Sequence, residues 1–398
     1  MQYLNKKQWL KSLSLSVVVG LSACSSEDSS TSVNTKEYNS AVSSYSELVF
    51  SSYEKNLSDV ILLKTAITNF KAQRDSTTFL KAREAWLETR ESYGVTEAFR
   101  FYEGPIDDPE NGVEGLLNAW PMEEGYVDYT VDANGAIIKQ GLIYASDFDA
   151  KISQIDELNE QGGETNISSG YHAIEFILWG QDLNLDDGKA AFMTKSGQII
   201  SGQRPLSDFT VETYGDRRFA YLEAAVSNII THLQYLKSSW SPGVDNYRQA
   251  FEAQDSKQSI ARIFRGLQVL SSVELSGERM VVALSLHDQE DEHSCFSDNT
   301  HRDMVQGAKG MYDVVFQDNN QGLASLLSSQ DSATLLELMD ETQDAVEAIQ
   351  APFDYEISLE NTEGNARVQR AVDALRAQGT MIKTLVSKLD LPQVVVQD

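Results

Sequence analysis

The sequence has 398 residues, enough for two domains of ordinary size, and a formal net charge of −28 from 32 basic and 60 acidic residues. This acidity excludes nucleic acid as a partner, because no excess of Lys and Arg is present to neutralise phosphates. It suits cations near the surface, although a solvated surface adapted to salty or periplasmic surroundings explains most of the charge.

The first 24 residues are typical of an export signal. Lysines precede a short apolar stretch, residues 13–21, that cannot span a bilayer as a mature helix. The stretch ends in Leu-Ser-Ala-Cys, residues 21–24, which resembles the lipobox of bacterial lipoproteins, where the Cys carries the lipid. Ser25 follows where an inner-membrane retention signal would place Asp, so the resemblance implies a lipid-anchored protein of the Gram-negative outer membrane. The alternative is an ordinary secretory signal with an incidental Cys24.

Residues 25–39 are rich in Ser, Thr, Asp, Glu and Asn, a composition that predicts a flexible tether. With Cys24 lipidated, Cys295 is the one remaining cysteine, so no intramolecular disulfide can form. The fold must therefore be stabilised by its hydrophobic core.

Apolar residues at intervals of three and four predict helices throughout the chain, and alternating β-branched runs are almost absent. Ser76 and Thr77 are the cap candidates of the second helix, and Trp-Ser-Pro-Gly at 240–243 ends the third. This pattern predicts an all-α protein built from helical bundles. The expected helices span residues 46–72, 76–101, 217–240, 255–286, 301–317, 331–350 and 364–388.

The stretch 103–168 has poor periodicity and several Gly and Pro turns, so it predicts a long irregular insertion of the kind that is usually functional. The break after residue 240 predicts two halves: a first helical bundle, 40–240, and a second, 245–398. A faint similarity between residues 76–80 and 332–336 hints at a duplication, although alone it is at chance level.

His172 and Glu175 are the most informative residues of the chain. Three positions apart on a helix, they share one face of an otherwise apolar segment. Such a pair suits a metal ion or acid/base chemistry, and Gly170 permits close approach of another backbone. Asn166, Ser168 and Ser169 can cap the helix, which places His172 in its first turn and favours a site. The alternative is a His and a Glu that satisfy one another at a helix start.

A third metal ligand is predicted on the helix 76–101. Trp86, Arg90, Tyr93 and Glu97 follow one another at spacings of four, three and four, so they share one face. Because Trp86 and Tyr93 should point inward, Glu97 is a candidate ligand, with Arg90 or Tyr93 supporting it. A partly buried Arg90–Glu97 ion pair is an equally acceptable interpretation.

A second group of metal-capable residues is His287, Glu290 and His293, which repeats the His-x-x-Glu spacing. We expect it to continue the long helix. By composition it is a polar, solvated helix end and loop, and a second or transient metal site is the functional alternative.

Several segments together resemble the imelysin-like family, whose signature is Gly-x-His-x-x-Glu and which carries the peptidase label M75. The signature matches at residues 170–182, and further similarity covers 97–107 and 117–121. Residues 277–280 and 288–299 resemble the iron-regulated protein A branch of that family.

This resemblance implies two bundle-like halves related by a cryptic duplication, with the site between them. It assigns His172, Glu175 and, less securely, Glu97 as metal ligands, and Arg100 lies in a matching segment beside them. It also implies iron, or an iron-bearing ligand, bound at the cell envelope during iron acquisition, with zinc as the alternative metal.

Two alternative functions follow. The first is a metallopeptidase, although neither the forward nor the inverted zinc-protease motif is present and no residue is clearly the general base. The second is a non-catalytic scaffold for envelope uptake or redox proteins.

Overall fold

The computed structural model describes residues 29–132, 134–182, 185–186, 189–190, 201–211, 213–317 and 322–396. The predicted signal peptide, the lipidation site Cys24 and the start of the tether lie outside the described residues.

The first half of the chain combines long helices with a region of short elements. Its elements, in chain order, are α1 (Ser29–Gln73), α2 (Ser76–Gly94), a 3₁₀ turn (Val95–Phe99), α3 (Glu114–Leu117), α4 (Glu124–Val127), β1 (Thr130–Val131), β2 (Ile137–Ile138), α5 (Ile152–Leu158), α6 (Gly170–Trp179), β3 (Leu185–Asp186), β4 (Lys189–Ala190), α7 (Ser207–Thr210) and α8 (Gly215–Ser239). β1 pairs with β2, and β3 with β4, as small antiparallel hairpins.

The second half is helical almost throughout. Its elements are α9 (Tyr247–Ala253), α10 (Ser256–Val269), a π-helix (Leu270–Val281), α11 (Val282–Leu286), 3₁₀ turns (Gln289–Asp291 and Cys295–Ser297), α12 (Thr300–Val315), a 3₁₀ turn (Leu323–Leu326), α13 (Ser329–Glu347), α14 (Phe353–Ile357) and α15 (Thr362–Lys388). The predicted all-α class is confirmed.

Helix packing produces two groups that share a single core. In the first half α1, α2, α6 and α8 pack together, and in the second α10, the π-helix, α12, α13 and α15 do so. α1 also packs on α9 and α10, and α2 on α12, so the two groups are joined along their length. The buried apolar side chains accordingly form one contiguous cluster from Tyr38 to Leu391.

Four sequence expectations need correction. Helix α1 begins at Ser29, so residues 29–39 of the expected tether are helical, and the inward-facing repeat already includes buried Tyr38. The cap of α2 is Asp75, not Ser76 or Thr77, because its carboxylate accepts from the backbone of Thr78 in a capping box.

The expected helix 255–286 has the right extent, but its centre is a π-helix, in which hydrogen bonds join residues five apart. The expected helix 76–101 ends as an α-helix at Gly94 and continues as the 3₁₀ turn. Both changes matter for the site, because Arg279 lies in the π-helix and Glu97 lies in the 3₁₀ turn.

The insertion at 103–168 contains only short elements, as its composition indicates. In the part of the chain that the structure describes, no helix is both long enough and apolar enough to cross a membrane.

Candidate functional site: two buried histidine–carboxylate pairs

Helix α6 holds the first histidine–carboxylate pair. All of its residues are buried. Its first residue, Gly170, has φ of +86°, and a Cβ atom there would lie 2.4 Å from the carbonyl oxygen of Leu117, so only glycine fits this position. The expected capping by Ser169 does not occur, since its hydroxyl donates to the carbonyl oxygen of Leu116.

His172 and Glu175 contact each other as the spacing predicts. Nδ1 of His172 lies 2.9 Å from Oε2 of Glu175. The other carboxyl oxygen, Oε1, accepts from the backbone N and the hydroxyl of Ser297, at 2.9 and 2.6 Å. Nε2 of His172 is buried and has no hydrogen-bond partner among the described residues.

Burial controls the protonation of this pair. It raises the pKa of Glu175 to about 8, because the bonds from Ser297 and the charge of Arg90 only partly offset the loss of water. The pKa of His172 is well below its ordinary value, through burial and the proximity of His293 and Arg90. At neutral pH the imidazole is therefore uncharged.

A second pair faces the first from the loop after α11. The rings of His172 and His293 have centroids 4.6 Å apart and are nearly perpendicular. Nδ1 of His293 lies 2.7 Å from Oδ2 of Asp303, at the start of α12. Burial, followed by the charge of Arg279, lowers the pKa of His293 to about 4, so this ring is also neutral.

Asp303 is the charged member of the second pair. Burial alone would raise its pKa, but Arg90 and the bond to His293 hold it well below the ordinary value. A charged Asp303 accepts the Nδ1 proton of His293, which leaves Nε2 of that ring as a hydrogen-bond acceptor.

Asn118, in the irregular insertion, connects the second pair to Glu97. Its Oδ1 accepts from Nη1 of Arg90 at 2.6 Å, which sets the orientation of the amide. Its Nδ2 then points to Nε2 of His293 at 3.3 Å and to Oε1 of Glu97 at 3.2 Å.

Glu97 does not join His172 and Glu175 as a third ligand in this structure. Its Oε2 accepts from Arg279 at 2.7 Å and from Arg100 at 2.9 Å. Burial would raise its pKa, but these two guanidinium groups lower it to about 2. Among the described residues, no three His, Cys, Asp or Glu side chains are already arranged to hold a metal ion.

The other residues predicted to line the site, Arg90, Tyr93 and Arg100, have the following partners. Arg90 is buried and pairs with Asp303 at 3.1 Å, and no direct bond joins it to Glu97. The ring of Tyr93 packs against that of Tyr171 at an angle of 50°, and its buried hydroxyl is unpaired among the described residues. Arg100 bridges Glu97 and Glu114.

The expected second cluster is divided. Helix α11 ends at Leu286 because His287 adopts a left-handed conformation with φ of 54°, so the helix does not continue into the cluster. Nδ1 of His287 contacts the carbonyl oxygen of Ile357, whereas Glu290 is exposed. His293 alone of the three turns inward, so the interpretation as a solvated loop is wrong at that residue.

Asn118, Arg279, Ser297 and Asp303 are site residues that the sequence analysis did not name as candidates, although the first three lie in the segments 117–121, 277–280 and 288–299 that resemble the family. Arg279 is aimed at Glu97 from the π-helix, where it also pairs with Glu274, five residues earlier. None of the four has a local spacing signal, because each meets its partner from a different part of the chain.

The fold and the site define an all-helical protein with two buried histidine–carboxylate pairs facing each other between its halves. The model of one protein family, imelysin (peptidase M75), matches residues 49–382. The chain therefore belongs to the imelysin family.

The solved structures that share the fold include the following two. The first, named as an iron-regulated protein A precursor from Parabacteroides distasonis, is 17% identical, with a TM-score of 0.70 over 89% of this chain and 95% of that chain. The second, an imelysin-like protein from Psychrobacter arcticum, is 15% identical, with a TM-score of 0.60 over 91% and 98%. The comparison with curated proteins gives no significant match.

Proposed function

We propose that the protein binds iron, or an iron-bearing ligand, through the Nε2 atoms of His172 and His293. The observation that carries this proposal is the unpaired, fully buried Nε2 of His172 beside a second neutral imidazole. A buried polar atom without a partner is uncommon and calls for an occupant. The name of the iron-regulated relative supports iron as that occupant.

The surroundings of both rings fit metal binding. Each Nδ1 is held by a carboxyl group, at 2.9 Å in His172 and 2.7 Å in His293, an arrangement that orients histidine ligands. The charged Asp303 also increases the basicity of His293, whereas Glu175 has to release its proton before Nδ1 of His172 can donate to it and Nε2 can bind a metal. Imidazole nitrogens suit iron and also zinc. Two protein ligands leave the other coordination positions of the metal open. This favours iron that is already bound by other ligands when it enters the site.

Glu97 takes a supporting role in this proposal. To become a ligand it would have to leave Arg279 and Arg100, and each of these buried guanidinium groups would lose one of its two carboxylate partners. We therefore replace it with His293 in the ligand set and assign Glu97 the positioning of Asn118.

Anaerobic titration calorimetry with ferrous iron tests the proposed ligands. We expect binding to the mature protein and at least about a tenfold loss of affinity in His172→Ala and in His293→Ala, since each removes one of two ligands. His232→Ala is the matched control, because that histidine contacts Asp156 in α5, away from the pair. Equal binding by all four proteins would refute the ligand assignment. A parallel zinc titration decides between the two metals.

We also propose that Cys24 anchors the protein to the outer membrane. The lipobox sequence and Ser25 support this. In fractionated cells, the wild type should sediment with outer membranes, whereas Cys24→Ser should be soluble in the periplasm or remain uncleaved. Identical distribution of the two proteins would contradict the anchor. Proteins that co-purify with the anchored form test for an envelope uptake or redox partner.

A metallopeptidase is the second candidate function. It is favoured by the family label and by Glu175, a carboxyl with a pKa near 8 beside an imidazole, which is suitable for proton transfer near neutral pH. Zinc-loaded protein incubated with a peptide library provides the test. Absence of cleavage, or cleavage that survives Glu175→Gln, would eliminate this candidate.

A further inference from the structure

A cavity of about 180 Å³ lies in the second half, between α10, α15 and the chain that follows α15. Each of the three segments contributes an apolar side chain to its lining: Phe264, Val386 and Val394. Phe264 belongs to the hydrophobic core, and the two valines are half-buried and pack against that core. The apolar wall of the cavity is therefore continuous with the core of the fold.

The chain after α15 is held in place as the third wall of the cavity. Leu391 is buried, and its backbone N donates to the carbonyl oxygen of Val386 at 3.1 Å. Nζ of Lys257, at the start of α10, donates to the carbonyl oxygen of Asp390 at 3.1 Å. Because one contact joins this chain to each helix, the cavity is a feature of the packed structure.

Two cationic side chains and no acidic side chain line the cavity. They are Arg265 of α10 and Lys383 of α15. This lining is unusual in a chain with 60 acidic and 32 basic residues. Neither cation forms an ion pair in the part of the chain that the structure describes. The charge of the cavity is thus complementary to an anion.

Arg265 lacks the partners that a guanidinium group normally has when it is half-buried. Its Nε is buried and has no hydrogen-bond partner among the described residues. The planar guanidinium group offers parallel N–H donors that match the two oxygens of a carboxylate. Gln268 follows three residues later on α10 and also lines the cavity, so its amide lies on the same side of the helix.

We propose that this cavity binds a small organic carboxylate, with the charged group at Arg265 and an apolar body against Phe264 and Val386. The apolar wall favours such a molecule over an inorganic anion, which would leave that wall in contact with water. The volume limits its size: a cavity of roughly 150 Å³ accommodates benzene, so this cavity suits a molecule of about the size of benzoate. No residue of the histidine pairs lines the cavity, so the inference does not depend on the proposed iron site.

Titration of benzoate into the metal-free mature protein, followed by ligand-observed NMR, tests the proposal. We expect saturable binding at one site with a dissociation constant on the order of 1 mM or tighter. Benzamide has the same shape without the charge, so it should bind at least about tenfold more weakly. Absence of benzoate binding, or equal binding of benzamide, would overturn the proposal.

Variants of Arg265 test the position of the site. Arg265→Gln should weaken benzoate binding at least about tenfold, because the charge-assisted hydrogen bonds are lost. Its midpoint of thermal unfolding should match that of the wild type, since Arg265 has no ion-pair partner among the described residues to lose. Arg265→Lys keeps the charge and should retain part of the affinity. Benzoate binding that is undiminished in Arg265→Gln would refute the site.

Two controls complete the experiment. Arg370→Gln removes the same charge from an exposed position of α15, about 20 Å along the helix from Lys383, and should bind benzoate like the wild type. His172→Ala should also bind benzoate like the wild type, which separates the cavity from the iron site. If Arg370→Gln loses as much affinity as Arg265→Gln, the anion is attracted by net charge and not by this cavity. Loss of binding in His172→Ala would place the benzoate at the histidine pairs and overturn the proposal as well.

Discussion

Asp303→Asn should be among the most destabilising single substitutions in this protein. Asp303 is almost completely buried and accepts from Arg90 at 3.2 Å, His293 at 2.7 Å and Ser294 at 2.6 Å. Asparagine keeps the shape but has one acceptor oxygen, so its NH₂ group must face a donor, and Arg90 loses its counter-charge. Removing one partner of a buried ion pair costs about 3–5 kcal/mol, the loss we expect here.

Chemical denaturation at neutral pH measures this loss, with Asp313→Asn as the matched control. Asp313 pairs with Lys309 on the exposed side of α12, where an ion pair contributes less than about 1 kcal/mol. The double variant Arg90→Met, Asp303→Asn should recover part of the stability, because the stranded charge is gone. If Asp303→Asn costs no more than Asp313→Asn, the buried charges are not paired as we describe.

Further predictions concern the first pair and its surroundings. Burial raises the pKa of Glu175 from 4.5 to about 8, so the contribution of this group to folding stability is complete below pH 4.5 and is lost as pH rises through 8. Above neutrality, Glu175→Gln should therefore be more stable than the wild type, by an amount on the order of 3–5 kcal/mol. Parallel curves of unfolding free energy against pH for the two proteins would contradict this prediction. Gly170→Ala should lower the unfolding midpoint, since φ is +86° and the new Cβ would clash with Leu117, whereas Gly277→Ala has open space in the π-helix and should not. Asn118→Asp replaces an amide donor 3.3 Å from Nε2 of His293 with a carboxylate, so NMR titration should find the pKa of His293 raised above about 4; an unchanged value would refute the contact.

Local patterns predicted the part of the site that lies on one helix. His172 and Glu175 are three residues apart, and helical geometry alone brings them together at 2.9 Å. The close backbone contact at Gly170 was also predicted from the sequence, because glycine permits a positive φ and close approach of another backbone. The buried face with Trp86, Arg90 and Tyr93 was also predicted from spacing.

Glu97, the candidate third ligand, shows what residue spacing does not predict. Glu97 is buried, as the helical face predicts, but the face does not specify which group the carboxylate contacts. In the structure, Glu97 forms ion pairs with Arg100 and Arg279. One of them, Arg279, comes from the second half and is aimed by a π-helix, a local change in winding that apolar periodicity does not reveal. His293 was placed on a solvated loop for the same reason, since its burial depends on contacts with distant residues.

The sequence by itself determined the class of this protein: the apolar periodicity predicts helices, and the His-x-x-Glu spacing places His172 and Glu175 on one face of a helix. Tertiary structure alone decided that a second pair, from His293 and Asp303, faces the first, and that Glu97 is neutralised by arginines. The physical reason is the distance along the chain over which each signal acts. Periodicity reports which side of a helix is buried, whereas the pairing of buried charges depends on which distant segments the shared core brings into contact.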